Sequence, residues 1–244
     1  MTDSEATHRQ GHCVGSHHEV HDDNFAEANK DFFNAPGFAE RYAERPDAVE
    51  CAQRLAGAML REYPFDEEKT SIMDFACGVG LISRELAPHS KSIVGVDISQ
   101  RMVDLYNLSV HNQGISPDEM RAICISAIKE NEEQLQGMAF DVIVCASAYH
   151  HLASIDDVTK ILATYLKPGG SLLVTDLIKD HSSQDVFPHN AQHIVPHRDG
   201  FTEDEIHNAF SSAGLHNFHF KEIARATAKH AGQPVTFFLA RGDK

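Results

Sequence analysis

The residues that constrain this chain most are Ser71-Ile72-Met73-Asp74-Phe75, an apolar run that breaks into Ala76-Cys77-Gly78-Val79-Gly80, followed after one helix-length interval by Val94-Gly95-Val96-Asp97. A buried strand ending in a glycine turn, with a carboxylate about 20 positions on at the end of a second strand, fits the first βαβ unit of a doubly wound sheet that holds a nucleoside. Glycine at 78 and 80 lets the backbone approach a ligand closely and take angles closed to other residues. Asp97 offers several lone pairs to a pair of ribose hydroxyls. Its competing role is to cap the helix that begins near Ser99.

Beyond that unit the pattern alternates strand and helix. Strands are expected at 71–75, 92–96, 121–125, 141–145 and 171–175, and helices at 80–87, 100–112 and 156–166, the last stopped by Lys167-Pro168-Gly169-Gly170. Apolar strands separated by helices imply a parallel sheet buried on both faces. A further helix over 202–213 opens with Thr202 as its cap and Glu203 to Glu205 at its positive end. The runs 218–224 and 235–240 are joined by a short connection containing Gly232-Gln233-Pro234, so they should pair as an antiparallel hairpin at one edge.

Ahead of the first strand, Phe32, Phe33, Phe38, Tyr42, Leu55 and Met59 recur at helical spacing, punctuated by Pro36 and Pro46. The expected fold class is therefore α/β: a doubly wound, mostly parallel seven-stranded sheet with helices on both faces, an antiparallel C-terminal hairpin and an N-terminal helical cap. Residues 1–23, polar and carrying His8, His12, Cys13, His17, His18 and His21, read as a disordered tail. The remainder, 24–244, reads as a single domain, with the cap at 24–63 and a Rossmann-like core at 64–244. Imidazole and thiolate bind zinc well, but no fixed ligand spacing is visible in the tail, and no metal site is assigned.

A formal net charge of -15 excludes a partner whose affinity comes from phosphate neutralisation, so no nucleic acid is expected. An acidic surface leaves a basic protein tail open as a substrate or partner. No apolar run approaches the roughly 20 residues that span a bilayer, and Met1-Thr2-Asp3-Ser4-Glu5 lacks the parts of a signal peptide. A cytoplasmic location is expected, with nuclear entry left open. Cys13, Cys51, Cys77, Cys124 and Cys145 show no paired spacing and read as reduced thiols.

The motif D-x-x-C-G-x-G from Asp74 to Gly80, with Val96-Asp97-Ile98-Ser99, resembles motif I and the acidic loop of class I S-adenosylmethionine-dependent methyltransferases, and the antiparallel ending is similar to theirs. The resemblance covers roughly 33–241. It implies S-adenosyl-L-methionine as cofactor. Ser83 stands where a pyrophosphate fingerprint has its third glycine, and a donor without pyrophosphate needs none there, which favours it over NAD.

The same resemblance implies roles residue by residue. Asp74, Ala76, Cys77, Gly78 and Gly80 form the loop under the cofactor, with Cys77 as a small filler. Asp97 and Ile98 meet the ribose, and Met102 packs on the adenine. Ser126 and Ala127 fall where many relatives carry an acidic residue near the adenine amine, a departure from the pattern. Cys145 and Ala146 form the wall beside the sulfonium, and Tyr42 closes over the methionine end.

A sulfonium is already an activated donor, so the protein's task is to align acceptor, methyl and sulfur while excluding water. Ala148-Tyr149-His150-His151-Leu152, after the fourth strand, resembles the paired histidines of ubiquinone-biosynthesis-type and other small-molecule methyltransferases. A histidine there suits proton removal from a hydroxyl, amine or thiol. One of the pair should face the site and the other be structural, and the sequence does not choose between them. A long connection, 176–200, carries His181, His189, His193 and His197 and should hang over the substrate pocket. Its four-residue histidine spacing suits one helix face, but Pro188 and Pro196 argue against an uninterrupted helix.

The reading is an enzyme that methylates a small-molecule oxygen, nitrogen or sulfur by in-line displacement, with His150 or His151 as general base. The alternatives are a protein methyltransferase and a methyltransferase-like scaffold or regulatory binding protein.

Overall fold

A computed structural model of the chain describes residues 22–179, 187, 189–227 and 234–244. The tail expected at 1–23 lies outside them except at its last two positions, where helix α1 (Asp22–Phe33) begins. With α2 (Phe38–Ala43) and α3 (Pro46–Glu62) it makes up the helical cap. Pro46 opens α3, where its missing N–H costs nothing, and α3 turns Ala52, Leu55, Ala56 and Met59 inward.

The core runs β1 (Ser71–Phe75), α4 (Leu81–Leu86), β2 (Ser92–Asp97), α5 (Gln100–Asn112), β3 (Met120–Cys124), β4 (Phe140–Ala146), α6 (Ile155–Thr164), β5 (Leu166–Leu177), α7 (Glu203–Ser212), β6 (His216–Thr227) and β7 (Pro234–Asp243). The seven strands lie in the order β3-β2-β1-β4-β5-β7-β6. The first five pair in parallel, and β7 inserts antiparallel between β5 and β6. This is the expected mostly parallel seven-stranded sheet, with the hairpin at one edge.

Alternation along the strands divides the core. Ile72, Ile93, Val142, Val144 and Leu173 face the layer of α3, α4 and α5. Met73, Val94, Ile143, Cys145 and Val174 face α6 and α7. In β4, Val142 to Cys145 are all fully buried, as both faces of a central parallel strand must be. Truncating any one large side chain there would cost about 2–5 kcal/mol. Thr202 and Glu205 close a reciprocal capping box that starts α7.

One segment departs from the sequence reading. Residues 167–170, expected as a helix stop followed by a loop, belong to β5, which begins at Leu166. Pairing with β4 shifts register there, between Phe140↔Leu166 and Val142↔Ser171. The Gly169 N–H donates to the Lys244 carbonyl and the Lys244 N–H to the Gly170 carbonyl, each at 2.8 Å. The C-terminus thus draws the Pro-Gly-Gly stretch into the sheet. Among the described residues, no helix is long and apolar enough to cross a membrane.

Candidate active site

Strand order reverses between β1 and β4, and the crevice beyond their carboxyl ends is where such sheets bind ligands. Two non-glycine residues there take left-handed backbone angles, Ala76 at φ 58° after β1 and Ser147 at φ 53° after β4. Strain of this kind persists where the surroundings hold it and gathers at functional sites. The Ser147 N–H is held by the Thr175 carbonyl at 2.7 Å and the Cys77 N–H by the Val96 carbonyl at 3.1 Å.

The two loop glycines do different work. At Gly78 (φ 52°) an added Cβ would meet nothing within 4 Å among the described residues, so the backbone has an open side there. At Gly80 (φ 84°) the same atom would stand 2.6 Å from the Tyr106 ring, so this glycine serves close packing. The Cys77 side chain seats against Gly95. Burial, then the nearby Asp97 and Asp74, push its thiol well up, so it is a filler and not a nucleophile.

Asp97 ends β2 with 8% of its surface exposed. One carboxylate oxygen accepts the Gly78 N–H at 2.8 Å and the other the Ser99 N–H at 2.9 Å. Burial raises its pKa, and the N–H groups of Ser99, Gly78 and Ile98 oppose that rise. The cap of α5 is Ser99, whose hydroxyl accepts the Met102 N–H at 3.2 Å, so Asp97 is free of that duty. These N–H groups leave part of its roughly four acceptor positions unused. A buried carboxylate with acceptor sites to spare, beside an open-sided glycine turn, fits a nucleoside carrying a ribose diol.

Asp74 lies under the loop. It is buried, and the Ser83 hydroxyl donates to it at 2.6 Å. Burial lifts its pKa to about 7, against the Ser83 hydrogen bond. The residue in the third-glycine position is thus turned down into the protein and ties α4 to β1.

Of the other residues singled out, Met102 is buried in the α5 core and Cys145 in β4, while Ala146 and Ile98 are half-buried. The Ile98 carbonyl meets the Cys124 thiol at 3.5 Å. Ser126 and Ala127 are exposed. Tyr42 is half-buried, stacks on Phe38 with centroids 6.2 Å apart, and lies 5.8 Å from the Arg45 guanidinium.

Sequence patterning missed how α1 is anchored. Three polar side chains at its end reach loops after different strands. The Asn34 amide oxygen accepts the Ser99 hydroxyl at 2.9 Å, after β2, and the Lys30 ammonium donates to Ser126 at 3.2 Å, after β3. The Asn29 amide donates to the Ile194 carbonyl at 3.0 Å and the His151 carbonyl at 3.4 Å. Helix α1 therefore lies across the carboxyl ends of the strands.

The histidine pair occupies a 3-10 turn, Tyr149–His151, after β4. The rings are tilted, with centroids 4.2 Å apart. His151 Nδ1 lies 2.8 Å from the Ile194 carbonyl, which only accepts, so that nitrogen carries the proton. Burial, then neighbouring His150, push the His151 pKa down to about 3. His150 Nδ1 lies 2.8 Å and 3.0 Å from the two oxygens of Asp176, a residue read from sequence only as the start of a loop. The available signal was a carboxylate inside the apolar strand Ser171-Leu172-Leu173-Val174-Thr175-Asp176-Leu177. His150 also contacts the Phe187 ring at 4.9 Å, and Phe33 meets His151 edge-on at 5.3 Å.

In the connection after β5, a short 3-10 helix spans His189–Ile194, His193 is exposed, and the His197 N–H donates to the His150 carbonyl at 3.3 Å. His181 and the side chain of His189 lie outside the described residues. Among the described residues no group of three or more potential metal ligands comes together.

A family model described as a methyltransferase domain matches residues 42–219, which leaves α1 outside it. An uncharacterized methyltransferase of Schizosaccharomyces pombe is 41% identical over 152 residues, 60% of this chain and 54% of that protein. A ubiquinone biosynthesis O-methyltransferase of Chelativorans sp. is 30% identical over 156 residues, 61% of this chain and 59% of that one. The chain thus spans little more than half the length of these curated relatives.

Among solved structures, geranyl diphosphate C-methyltransferase from Streptomyces coelicolor, in complex with Mg2+, geranyl diphosphate and S-adenosyl-L-homocysteine, superposes with a TM-score of 0.67 at 11% identity, covering 90% of this chain and 98% of that one. The cyclase SpnF superposes with a TM-score of 0.64 at 17% identity, covering 80% and 81%. Both are likenesses of fold.

Proposed function

Because this chain belongs to the methyltransferase-domain family, we propose that it transfers a methyl group from S-adenosylmethionine to an oxygen, nitrogen or sulfur of a small molecule, with His150 taking the acceptor's proton. The fold alone does not carry this, since a cyclase shares it. The observation that carries it is the joined pair of Gly78 and Asp97, an open-sided backbone turn locked to a buried carboxylate. The first offers room for the donor's main body and the second offers acceptors for its ribose. The curated relatives add support, including the ubiquinone biosynthesis O-methyltransferase.

Bound S-adenosylmethionine supplies a methyl group already activated on a sulfonium. The protein's residues then have to place the acceptor in line with it, keep water out and receive a proton. Aromatic side chains beside the histidine pair, Phe33 and Phe187, exclude water. Between the histidines, His151 is disqualified as the base, because an imidazole depressed to about 3 does not hold a proton near neutral pH. His150 is the one backed by a carboxylate.

Calorimetry with S-adenosylmethionine and with NADH tests the donor, and binding of only the latter would end this reading. The acceptor is tested by incubating the protein and methyl-labelled donor with fractionated metabolites and, separately, with protein fractions. Label in a small-molecule fraction is expected. Label confined to protein would replace the small-molecule acceptor with a polypeptide, toward which the net charge of -15 would draw basic segments.

A further inference from the structure

Asp176 is a fully buried carboxylate at the end of β5 on which N–H groups converge. It accepts the His150 backbone N–H at 3.1 Å and the Leu177 N–H at 2.7 Å, besides facing His150 Nδ1 with both oxygens. Burial alone would raise its pKa, but the His150 imidazole and these N–H donors outweigh it and hold the carboxyl below its ordinary range. An ionised carboxylate only accepts hydrogen bonds, so His150 Nδ1 must carry a proton, and in the neutral imidazole Nε2 then holds the lone pair. A buried charge is expensive, and a neutral amide or hydroxyl could serve two backbone N–H groups at less desolvation cost. The third contact, to the imidazole, is what a carboxylate suits best.

We propose that Asp176 is a positioning residue for methyl transfer, fixing His150 in the tautomer that leaves Nε2 as proton acceptor and balancing the imidazolium that forms there. The proposal rests on His150 as the base. As the acceptor's lone pair bonds to the methyl carbon, the carbon–sulfur bond breaks with its electrons going to sulfur, and the acceptor's proton passes to His150 Nε2. Asp176 stays ionised throughout. Among the described residues, the titratable groups beside His150 and Asp176 are His151 on the same turn and His197 from the connection after β5, which contact His150, and Cys145 on β4 and Tyr149 on the turn, which the charge of Asp176 reaches. Burial pushes the Cys145 thiol and the Tyr149 phenol up and the two histidines down, so all four stay neutral. Among these described groups, Asp176 is the one that supplies a countercharge.

The test is nitrogen-15 NMR of the full chain with S-adenosylhomocysteine, identifying the His150 signals by their loss in His150→Gln. The expected result is a proton on Nδ1, shifted far downfield by the carboxylate. Asp176→Asn should lose that resonance with donor affinity unchanged. On whichever metabolite fraction accepts label, its turnover should drop about 100-fold or more, with partial recovery in Asp176→Glu. A wild-type His150 carrying its proton on Nε2 overturns the proposal without any variant having to fold. Full turnover in His150→Gln removes the base and the proposal with it. An inactive His150→Gln beside a fully active Asp176→Asn with unchanged tautomer removes the positioning role and leaves the base standing.

Discussion

The backbone N–H of Gly78 donates to the carboxylate of Asp97 at 2.8 Å, joining the turn after β1 to the end of β2 across 19 residues of chain. Each side sets the other: the carboxylate holds the turn in its left-handed course, and the turn holds one carboxylate oxygen fixed. Because the neighbouring oxygen is likewise held by Ser99, the remaining acceptor directions are set before any ligand arrives. Binding then needs little rearrangement, which lowers its entropic cost.

Asp97→Ala removes both the anchor and the acceptors proposed for the ribose. With hydrogen bonds to a charged group worth about 1.5–3 kcal/mol each, affinity for S-adenosylmethionine should fall on the order of 100-fold. Titration calorimetry reads this directly, and wild-type affinity would put the crevice elsewhere.

The two loop glycines should fail differently. Gly80→Ala drives a methyl into the Tyr106 ring and should cost about 1–3 kcal/mol of stability, read by urea denaturation. Gly78→Ala meets no atom, so it should cost only about 1 kcal/mol from its left-handed φ while weakening donor binding. Equal stability losses in the two variants would contradict this division of labour.

Asp74 has its folded pKa raised from 3.8 to about 7. Below its unfolded value both states are protonated and the group is neutral toward stability. As pH climbs through the window between the two values, the unfolded state sheds its proton first, so stability declines. The shift of about 3 units corresponds to at most roughly 4 kcal/mol. Asp74→Asn, which can still accept the Ser83 hydroxyl, should therefore be more stable than wild type at pH 8 and no different at pH 4. A constant difference across that range would mean the carboxyl titrates normally.

His151 works in the opposite sense. Its folded pKa of about 3 lies below the ordinary imidazole value of 6.5, so its contribution is complete above about pH 6.5 and is lost as pH falls toward 3. At one pKa unit per about 1.4 kcal/mol, the wild type should lose roughly 2–3 kcal/mol relative to His151→Phe between pH 6.5 and 4.5. Denaturant melts at a series of pH values measure this, and parallel curves would show an imidazole that protonates freely.

Asn29 donates to carbonyls of three segments, Phe25, His151 and Ile194, and is 5% exposed. Asn29→Ala strands those carbonyls and should destabilise the protein by about 1–3 kcal/mol. Hydrogen exchange should accelerate across α1 ahead of the sheet, and uniform acceleration everywhere would deny α1 a separate attachment.

Much of the fold could be read from pattern because each element announced itself locally. Helix α5 was anticipated over its full length, 100–112, since Met102, Val103, Tyr106 and Val110 repeat at helical spacing behind the Ser99 cap. The strand β5 was anticipated only from Ser171, because Pro168-Gly169-Gly170 reads as a breaker until the Lys244 backbone, 74 positions beyond Gly170, pairs with it. The polar face of α1 was invisible for the same reason, as Asn29, Lys30 and Asn34 look like ordinary surface residues.

The sequence by itself determined the doubly wound order, the glycine turn with its distant aspartate, and the histidine pair after the fourth strand. These are written in periodicity and in residue types that few other local structures accommodate. Only the tertiary structure distinguishes the two histidines. Adjacent in sequence and identical in chemistry, they differ in what stands behind Nδ1: a backbone carbonyl for His151, and for His150 a carboxylate 26 residues away that parallel pairing of β4 with β5 brings alongside.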